Sequence, residues 1–481
     1  MAVLAQIVAA GASIPRLRLP RATIAAAMGW LGGASSRATG ARSTCNWDED
    51  ALTLAIDAAR GALAGAPKVD ALCLASTTLP FADRSNAALA AGCLDLDAGV
   101  ETLEFGGSLR AGTGALSAAA KRAGMTLVVG SDARLARPGS PQEPLLGHGA
   151  AALLVRGAVA EGTTPPALCD VLATAHEAAD FVDHYRMGGS EFDYALEERW
   201  VRDEALAGLP ARVVRAALAR AGVAPEAVAL FAMPGANAKR VAAETGLARA
   251  ALVDALHGDC GDTGVAHPLL MLVAALEQAQ PGDVIVLAGF GQGVDALVLR
   301  AGDALPGWRA TQRPLAAALA RRRDETHYTR FLSHSGLLEA EFGMRAERDN
   351  RTAHSVAWRK HESLDAFRGG RCRDCGTVQF PRSRVCVNPD CRRTDSQDSY
   401  RLADSSGTVK TFTEDWQAYS RRPPYVYGNV GFAEGGNLLM EFTDLDAGEL
   451  AVGDRVRFVL RIKDQDPLRR FRRYFWKAVK A

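Results

Sequence analysis

From the N-terminus to about residue 300, short continuous apolar runs alternate with stretches in which apolar side chains recur every three or four positions. The runs at 69–75, 100–105 and 125–130 read as strands. Leu52, Ile56 and Ala59 share one face of a predicted helix, which opens at the acidic segment 46–50 (NWDED), where carboxylates suit the positive end of the helix dipole. A second series repeats the pattern: a helix at 211–221, a strand at 227–234, a helix from Lys239, a helix at 265–279 and a strand at 283–290. Such alternation predicts parallel sheets covered by helices on both faces, in two similar halves, 1–165 and 166–303, that read as an internal duplication. Residues 304–366 read as a connector, partly helical, whose charge run RRRDE is a solvated face. Beyond 399 the pattern changes to short alternating segments, SGTVKTFTE, YVYGNVGFAE, NLLMEFTDL and DRVRFVLRI, punctuated by Pro-Pro and Gly-Gly. These predict a small all-β barrel over 399–481.

Composition narrows the function classes. A length of 481 residues fits two to four domains, and 56 basic against 55 acidic side chains leave a formal charge of +1. No global field attracts nucleic acid or an anionic membrane, and no apolar run reaches the ~18 residues of a spanning helix. The start of the chain has no compact apolar segment ending in a small-residue cleavage site, so a cytoplasmic protein is expected.

The cysteines add a metal. Cys372, Cys375, Cys386 and Cys391 stand as CRDC, ten intervening residues, then CVNPDC. Two close pairs of thiolates are the spacing of a zinc ribbon, expected over 367–398 with one structural Zn(2+). Cys45, Cys73, Cys93, Cys169 and Cys260 are scattered without such pairing, and Cys73 and Cys93 read as reduced core residues.

On four stretches, NWDEDALTLAIDAAR, SLRAGTGAL, LLGHGAAALLV and LAGFGQGVDALVL, the first 300 or so residues resemble the thiolase superfamily. They are closest to its hydroxymethylglutaryl-CoA synthase and ketoacyl synthase III branch. The last 115 or so resemble the zinc-ribbon plus OB-fold domain called DUF35. The resemblance implies a duplicated αβαβα domain followed by the ribbon and an OB-fold barrel. It also implies a catalytic cysteine at a helix N-terminus, where the dipole and a nearby His favour the thiolate that attacks a thioester. Set against the family pattern, the nucleophile position falls on Leu109, the His position on Gly235 in PGANAKRV, the Asn position on Asp262 in GDCGDTG and the Glu position on Thr78. All four depart from it. Gly289, Phe290, Gly291 and Gly293 form the family's closing turn and are the candidate cofactor-binding element.

A relocated site using Cys260 with His257 or His267 as base is the alternative, but the adjacent Asp259 and Asp262 oppose a thiolate. Ser108 reads as a turn-capping hydroxyl, and His148 as a loop residue near a dimer-like interface. His176, His184 and Tyr185 lie where relatives carry substrate-facing loops. The resemblance therefore implies a synthase-like subunit without its own nucleophile, in an acyl-CoA acyltransferase or thiolase complex. It would form a homodimer or hetero-oligomer through the thiolase-like domain, with a thiolase-type partner supplying the cysteine and a CoA thioester as substrate. Two other classes stay open. One is a free-standing hydroxymethylglutaryl-CoA synthase-like enzyme. The other is a nucleic-acid binder, since the tail LRRFRRYFWKAVK interleaves basic and aromatic residues; there, rings packed on the barrel with solvated charges is the simpler reading.

Overall fold

The computed structural model describes residues 3–31, 39–65, 68–157, 165–195, 198–206, 208–235, 237–247, 251–347, 353–466 and 468–481. Two compact units divide the chain. The first comprises Met1–Asn46, Asp50–Ala91 and Leu96–Phe331; the second comprises Leu332–Ala481 with Trp47–Glu49 and Gly92–Asp95.

Nine strands build the first unit's sheet: β1 (Ala5–Ser13), β2 (Ala71–Ala75), β3 (Glu101–Phe105), β4 (Met125–Ala133), β5 (His148–Gly157), β6 (Cys169–Ala178), β7 (Val228–Ala232), β8 (Val284–Phe290) and β9 (Gly293–Ala301). Their order is β7-β8-β9-β6-β1-β5-β4-β2-β3. The expectation of parallel sheets is corrected here, because the sheet is mixed. Parallel pairing holds for β2 with β3 and β4 and for β7 with β8. The central strands β1, β5, β6 and β9 pair antiparallel. Strands buried on both faces carry unbroken apolar runs whichever way they pair, so the run itself does not give direction. Among the described residues, the two halves of the sheet join where Ala5–Ile7 of β1 meets Cys169–Val171 of β6.

Five helices cover these halves. They are α1 (Ala51–Leu63), α2 (Ala111–Ala119), α3 (Leu209–Ala221), α4 (Ala238–Thr245) and α5 (His267–Leu276). The acidic segment starts α1 as expected: Asp50 accepts from the Thr53 N–H at 3.0 Å, and the Thr53 hydroxyl accepts from the Asp50 N–H at 2.9 Å, closing a capping box. Leu52, Leu54 and Ile56 are fully buried against β1, β4 and β5, each contributing about 1.5–3 kcal/mol by leaving water. Helices α2 and α5 lie together between the half-sheets, and Ala115, Leu116, Leu269, Leu270 and Leu272 fill that middle layer. Helix α3 packs on the outer face of β6, β8 and β9, and α4 packs on α3. The layers thus run α, β, α, β, α. Beyond residue 303, Leu305, Leu315 and Ala318 enter the same core, so part of the expected connector belongs to this unit.

In the second unit, strands Arg368–Cys372, Val378–Gln379 and Gln397–Arg401 form the ribbon sheet. Five strands then run in the order Asn437–Glu441, Tyr425–Phe432, Gly407–Asp415, Arg455–Gln465 and Arg472–Lys480, and a bridge from Phe442 to Ala478 brings the two ends together. The fully buried Phe367 ring joins ribbon to barrel, with the rings of Phe380, Phe458, Phe475 and Trp476 centred 5.2 to 5.9 Å from it. Tail aromatics pack inward as expected, with Tyr474 and Trp476 buried, but Lys477 is not solvated: its Nζ sits 3.0 Å from Asp48 and 3.2 Å from Glu441, over the Trp47 ring.

Candidate functional site

Leu109 lies in the tight turn between β3 and α2, half-buried against the middle-layer core. The next residue, Arg110, is the helix N-cap, and its N–H donates to the Ser108 hydroxyl at 3.2 Å. The closing turn fits over this point. A Cβ at Gly291 would stand 2.6 Å from the Arg110 nitrogen and 3.1 Å from that of Leu109; one at Gly289 would stand 2.8 Å from Thr113. Glycine is required there for the approach of two backbones. Just past Phe290, Gly293 has φ +126°. Asp295 fastens the arrangement by accepting from Arg110 Nη1 and from the Thr113 hydroxyl, both at 2.9 Å. An isobutyl side chain at the helix N-terminus has no nucleophilic atom.

The other family positions are equally quiet. The Thr78 hydroxyl donates to Asp132 at 3.0 Å and accepts from the Ala133 N–H at 2.9 Å, so it is satisfied within the fold. Gly235 is exposed, with φ +91° and open space where a side chain would be; its neighbour Ala236 lies outside the described residues. Asp262 accepts from the Gly264 N–H at 2.8 Å and lies 3.9 Å from both Arg134 and His267. Burial works against its charge, and His267, Arg134 and the Gly264 amide outweigh burial and hold the carboxyl below its ordinary range. An ionised carboxylate offers acceptors only, so Asp262 cannot donate to a developing oxyanion as an amide can.

Cys260 and His267 share the same turn, but neither is poised to react. The Cys260 thiol is fully buried, lies 3.4 Å from the Leu256 carbonyl, and is pushed up to about 12 by burial despite Arg18 nearby. His267 opens α5 with both ring nitrogens committed: Nδ1 accepts from the Thr263 N–H at 3.1 Å and Nε2 donates to the Ala255 carbonyl at 2.8 Å. Burial lowers its pKa against the pull of Asp262, so it is a neutral structural imidazole stacked on His257 at 4.9 Å. His148 is no loop residue. It begins β5 and is buried, with Nδ1 accepting from the Cys45 N–H at 2.9 Å and Nε2 donating to the Arg134 carbonyl at 3.0 Å. His176 sits exposed on β6, and His184 bonds Asp183 at 2.8 Å.

Sequence reasoning missed the charged network that occupies this region. Asp132 accepts from the Ser76 and Thr78 hydroxyls, the Thr77 N–H and hydroxyl, and the Val265 N–H at 2.8 to 3.1 Å. Arg134, two residues on, grips Asp193 through Nη2 at 2.5 Å and Nε at 3.1 Å, and Arg186 lies 3.6 Å from the same carboxylate. The one available signal was the tetrapeptide SDAR at the end of a strand, where an acid and a base two residues apart share a face.

In the second unit the four ribbon sulfurs lie within 4.8 Å of one another, Cys372 with Cys391 at 3.8 Å and Cys375 with Cys386 at 3.5 Å. A disulfide needs about 2.05 Å, whereas a tetrahedron of ~2.3 Å zinc–sulfur bonds has edges of about 3.8 Å. The residues therefore fit zinc. Gly376 (φ +75°) turns the first pair, and its N–H donates to the Cys372 carbonyl at 2.9 Å. The Thr377 hydroxyl, 3.2 Å from Cys375, holds that thiol down at about 6, and Ser396 lies 3.2 Å from Cys372. Four thiolates leave no open position, so zinc here would hold the ribbon's fold.

Comparison with known proteins agrees with both parts. Residues 364–396 match the family described as "ChsH2, rubredoxin-like zinc ribbon domain" and residues 400–461 match "ChsH2, C-terminal OB-fold domain". A hydroxymethylglutaryl-CoA synthase of Aeropyrum pernix is 28% identical over 65% of this chain and 89% of its own length. A DUF35 domain-containing scaffold protein of Methanocaldococcus jannaschii is 29% identical over 23% of this chain and 78% of its own. Among solved structures, MvaS in complex with 3-hydroxy-3-methylglutaryl coenzyme A covers 73% of this chain with a TM-score of 0.59 at 20% identity, and 96% of that chain is matched. The FabH synthase of Pseudomonas aeruginosa covers 62%, with 98% of that chain matched, at TM-score 0.53 and 23% identity. Among the described residues no helix is long and apolar enough to cross a membrane. The chain thus joins a thiolase-fold region similar to hydroxymethylglutaryl-CoA synthases to a zinc ribbon and OB fold that match the ChsH2 domain models and are similar to DUF35 scaffold proteins.

Proposed function

We propose that this chain is a non-nucleophilic subunit of a cytoplasmic acyl-CoA acyltransferase or thiolase complex, acting beside a CoA thioester with a cysteine supplied by a thiolase-type partner. The observation that carries this reading is Leu109 beside the N-terminus of α2, the position to which the resemblance assigns the superfamily's nucleophile. The state of the other candidate groups supports it: Cys260 is held as a thiol, His267 as a neutral imidazole, and Asp262 and Thr78 are bound into the fold. A complete five-layered domain without an attacking group is suited to binding, as a homodimer or beside a partner of the same fold. Zinc on Cys372, Cys375, Cys386 and Cys391 keeps the ribbon and barrel folded as a bridge, and fusion fixes its stoichiometry and raises its local concentration. Likeness to hydroxymethylglutaryl-CoA synthases favours a second reading, a free-standing condensing enzyme, but that needs a nucleophile.

Intact-mass measurement after incubation with acetyl-CoA tests the reading directly. The chain alone is expected to keep its mass and to show no condensation, and acyl transfer or thiolysis is expected only once a cysteine-bearing thiolase subunit is added. An acetyl adduct on this chain, or robust condensation by it alone, would overturn the proposal.

A further inference from the structure

Residues 184–195 of the first unit fold back as a hairpin, with Tyr194 and Ala195 paired to Tyr185 and His184. Beneath it lies a cleft of about 520 Å³ that none of Thr78, Leu109, Gly235 or Asp262 lines. Its volume is in the range that holds small molecules, roughly 300–1,000 Å³. The walls are of two kinds. Tyr185, Met187, Phe192 and Tyr194 supply apolar and aromatic surface, and Arg137 and Arg186 supply positive charge. The Tyr185 and Tyr194 rings stand 5.5 Å apart, too close to admit a ligand between them, so they offer their outer faces. Both remain open to solvent, at 45% and 60%, as does Met187 at 68%.

Charge in the cleft is unbalanced. The one acid among its described lining residues, Asp193, is already gripped by the buried Arg134 from behind and shared with Arg186. Arg186 also donates to the Thr77 carbonyl, which fixes it to the frame of the unit. Arg137 is different. Its guanidinium lies over the Phe192 ring, 5.4 Å from the centroid, and among the described residues it has no carboxylate or hydrogen-bond partner. A cation held against an aromatic face keeps its outward N–H groups available for an anion, and a guanidinium binds a carboxylate through two parallel hydrogen bonds.

We propose that this cleft binds an amphipathic carboxylate, with its anionic head on Arg137 and its apolar body along Phe192, Met187 and the Tyr185–Tyr194 pair. The inference does not depend on the partner subunit or on any acyl transfer. Decanoate, below its micelle threshold, is the probe, titrated calorimetrically into the full-length chain at neutral pH, with decanol and butyrate as companions. A single saturable event is expected for decanoate. Decanol lacks the head and butyrate lacks the body, so each is expected to bind at least about tenfold more weakly. Arg137→Gln and Tyr194→Ala change exposed side chains, so both variants are expected to keep the wild-type circular dichroism. Each is expected to weaken decanoate about tenfold or more. Absence of saturable binding to the wild-type chain, equal binding of decanol, or decanoate affinity unchanged in Arg137→Gln would each overturn the proposal.

Discussion

A buried imidazole that accepts one backbone hydrogen bond and donates another is held neutral, and in His148 burial, aided by Arg42, lowers the pKa to about 3 against the Arg134 carbonyl's opposing pull. The unfolded chain protonates this group near 6.5 and the folded chain does not. Folding therefore releases a proton, and the contribution of His148 is complete above pH 6.5 and falls away as pH drops toward 3. Urea unfolding of the first unit is expected to shift to lower midpoints from pH 7.5 to pH 5, and His148→Gln to flatten that dependence; an equally steep slope in the variant would count against it. Cys260 argues the other way along the pH axis. With the thiol pushed up to about 12 and wholly enclosed, it is expected to resist iodoacetamide in the native protein at pH 8 and to react only after denaturation. Leu109→Cys is expected to gain a reactive thiol without gaining condensation, because Gly235 offers no base and Asp262 no donor. What the sequence discloses at this scale is identity, such as a leucine at 109, where the resemblance implies a nucleophile. It does not disclose that His148 is buried, since a histidine between two glycines reads as a loop until its strand partners are known.

Between elements, the closing turn depends on glycine for a geometric reason that the sequence only hints at. A methyl at Gly291 would meet the backbone nitrogens of Arg110 and Leu109 at 2.6 and 3.1 Å, and backbone atoms cannot swing aside as a side chain can. Gly291→Ala is expected to destabilise the first unit by about 1–3 kcal/mol, read as a lower urea midpoint, with the second unit unaffected. Phe367 plays the corresponding part in the second unit. Truncation to Ala removes four ring contacts from the ribbon–barrel junction and is expected to cost about 3–5 kcal/mol. Several elements were readable from periodicity: α1, α3, β2, β4, β7 and β8 fall where the apolar pattern put them. The longer helix expected at 265–279 is a 3-10 turn, Gly264–Ala266, leading into His267–Leu276. Strand direction was not readable, because β1 and β5 are buried on both faces and present the same apolar surface to either pairing. The grip of Arg134 on Asp193 was equally hidden, since it joins residues that only the folded chain brings together.

For the molecule as a whole, the ribbon was the most readable feature, since two close pairs of cysteines specify a metal by spacing alone. The state of Cys260 and His267 needed the fold to interpret, because only the structure reveals that both are already committed. Under the proposed bridging role, the ribbon's metal would matter to function without touching any chemistry. Cys391→Ser removes one of four ligands and leaves an incomplete tetrahedron around a small sheet whose own core is slight, so zinc binding and ribbon folding fail together. The variant is expected to retain well below one zinc per chain by metal analysis. Its first unit should keep the wild-type unfolding transition, because that core is built from β1 to β9 and α1 to α5. In a mixture with a cysteine-bearing thiolase subunit, co-elution or activity is expected to drop, and a chain ending before Phe367 is expected to behave the same way. Leu109→Cys, by contrast, should assemble normally. Full zinc occupancy in Cys391→Ser would remove the metal assignment, whereas normal assembly and activity of the truncated chain would remove the bridging role and leave the metal assignment standing.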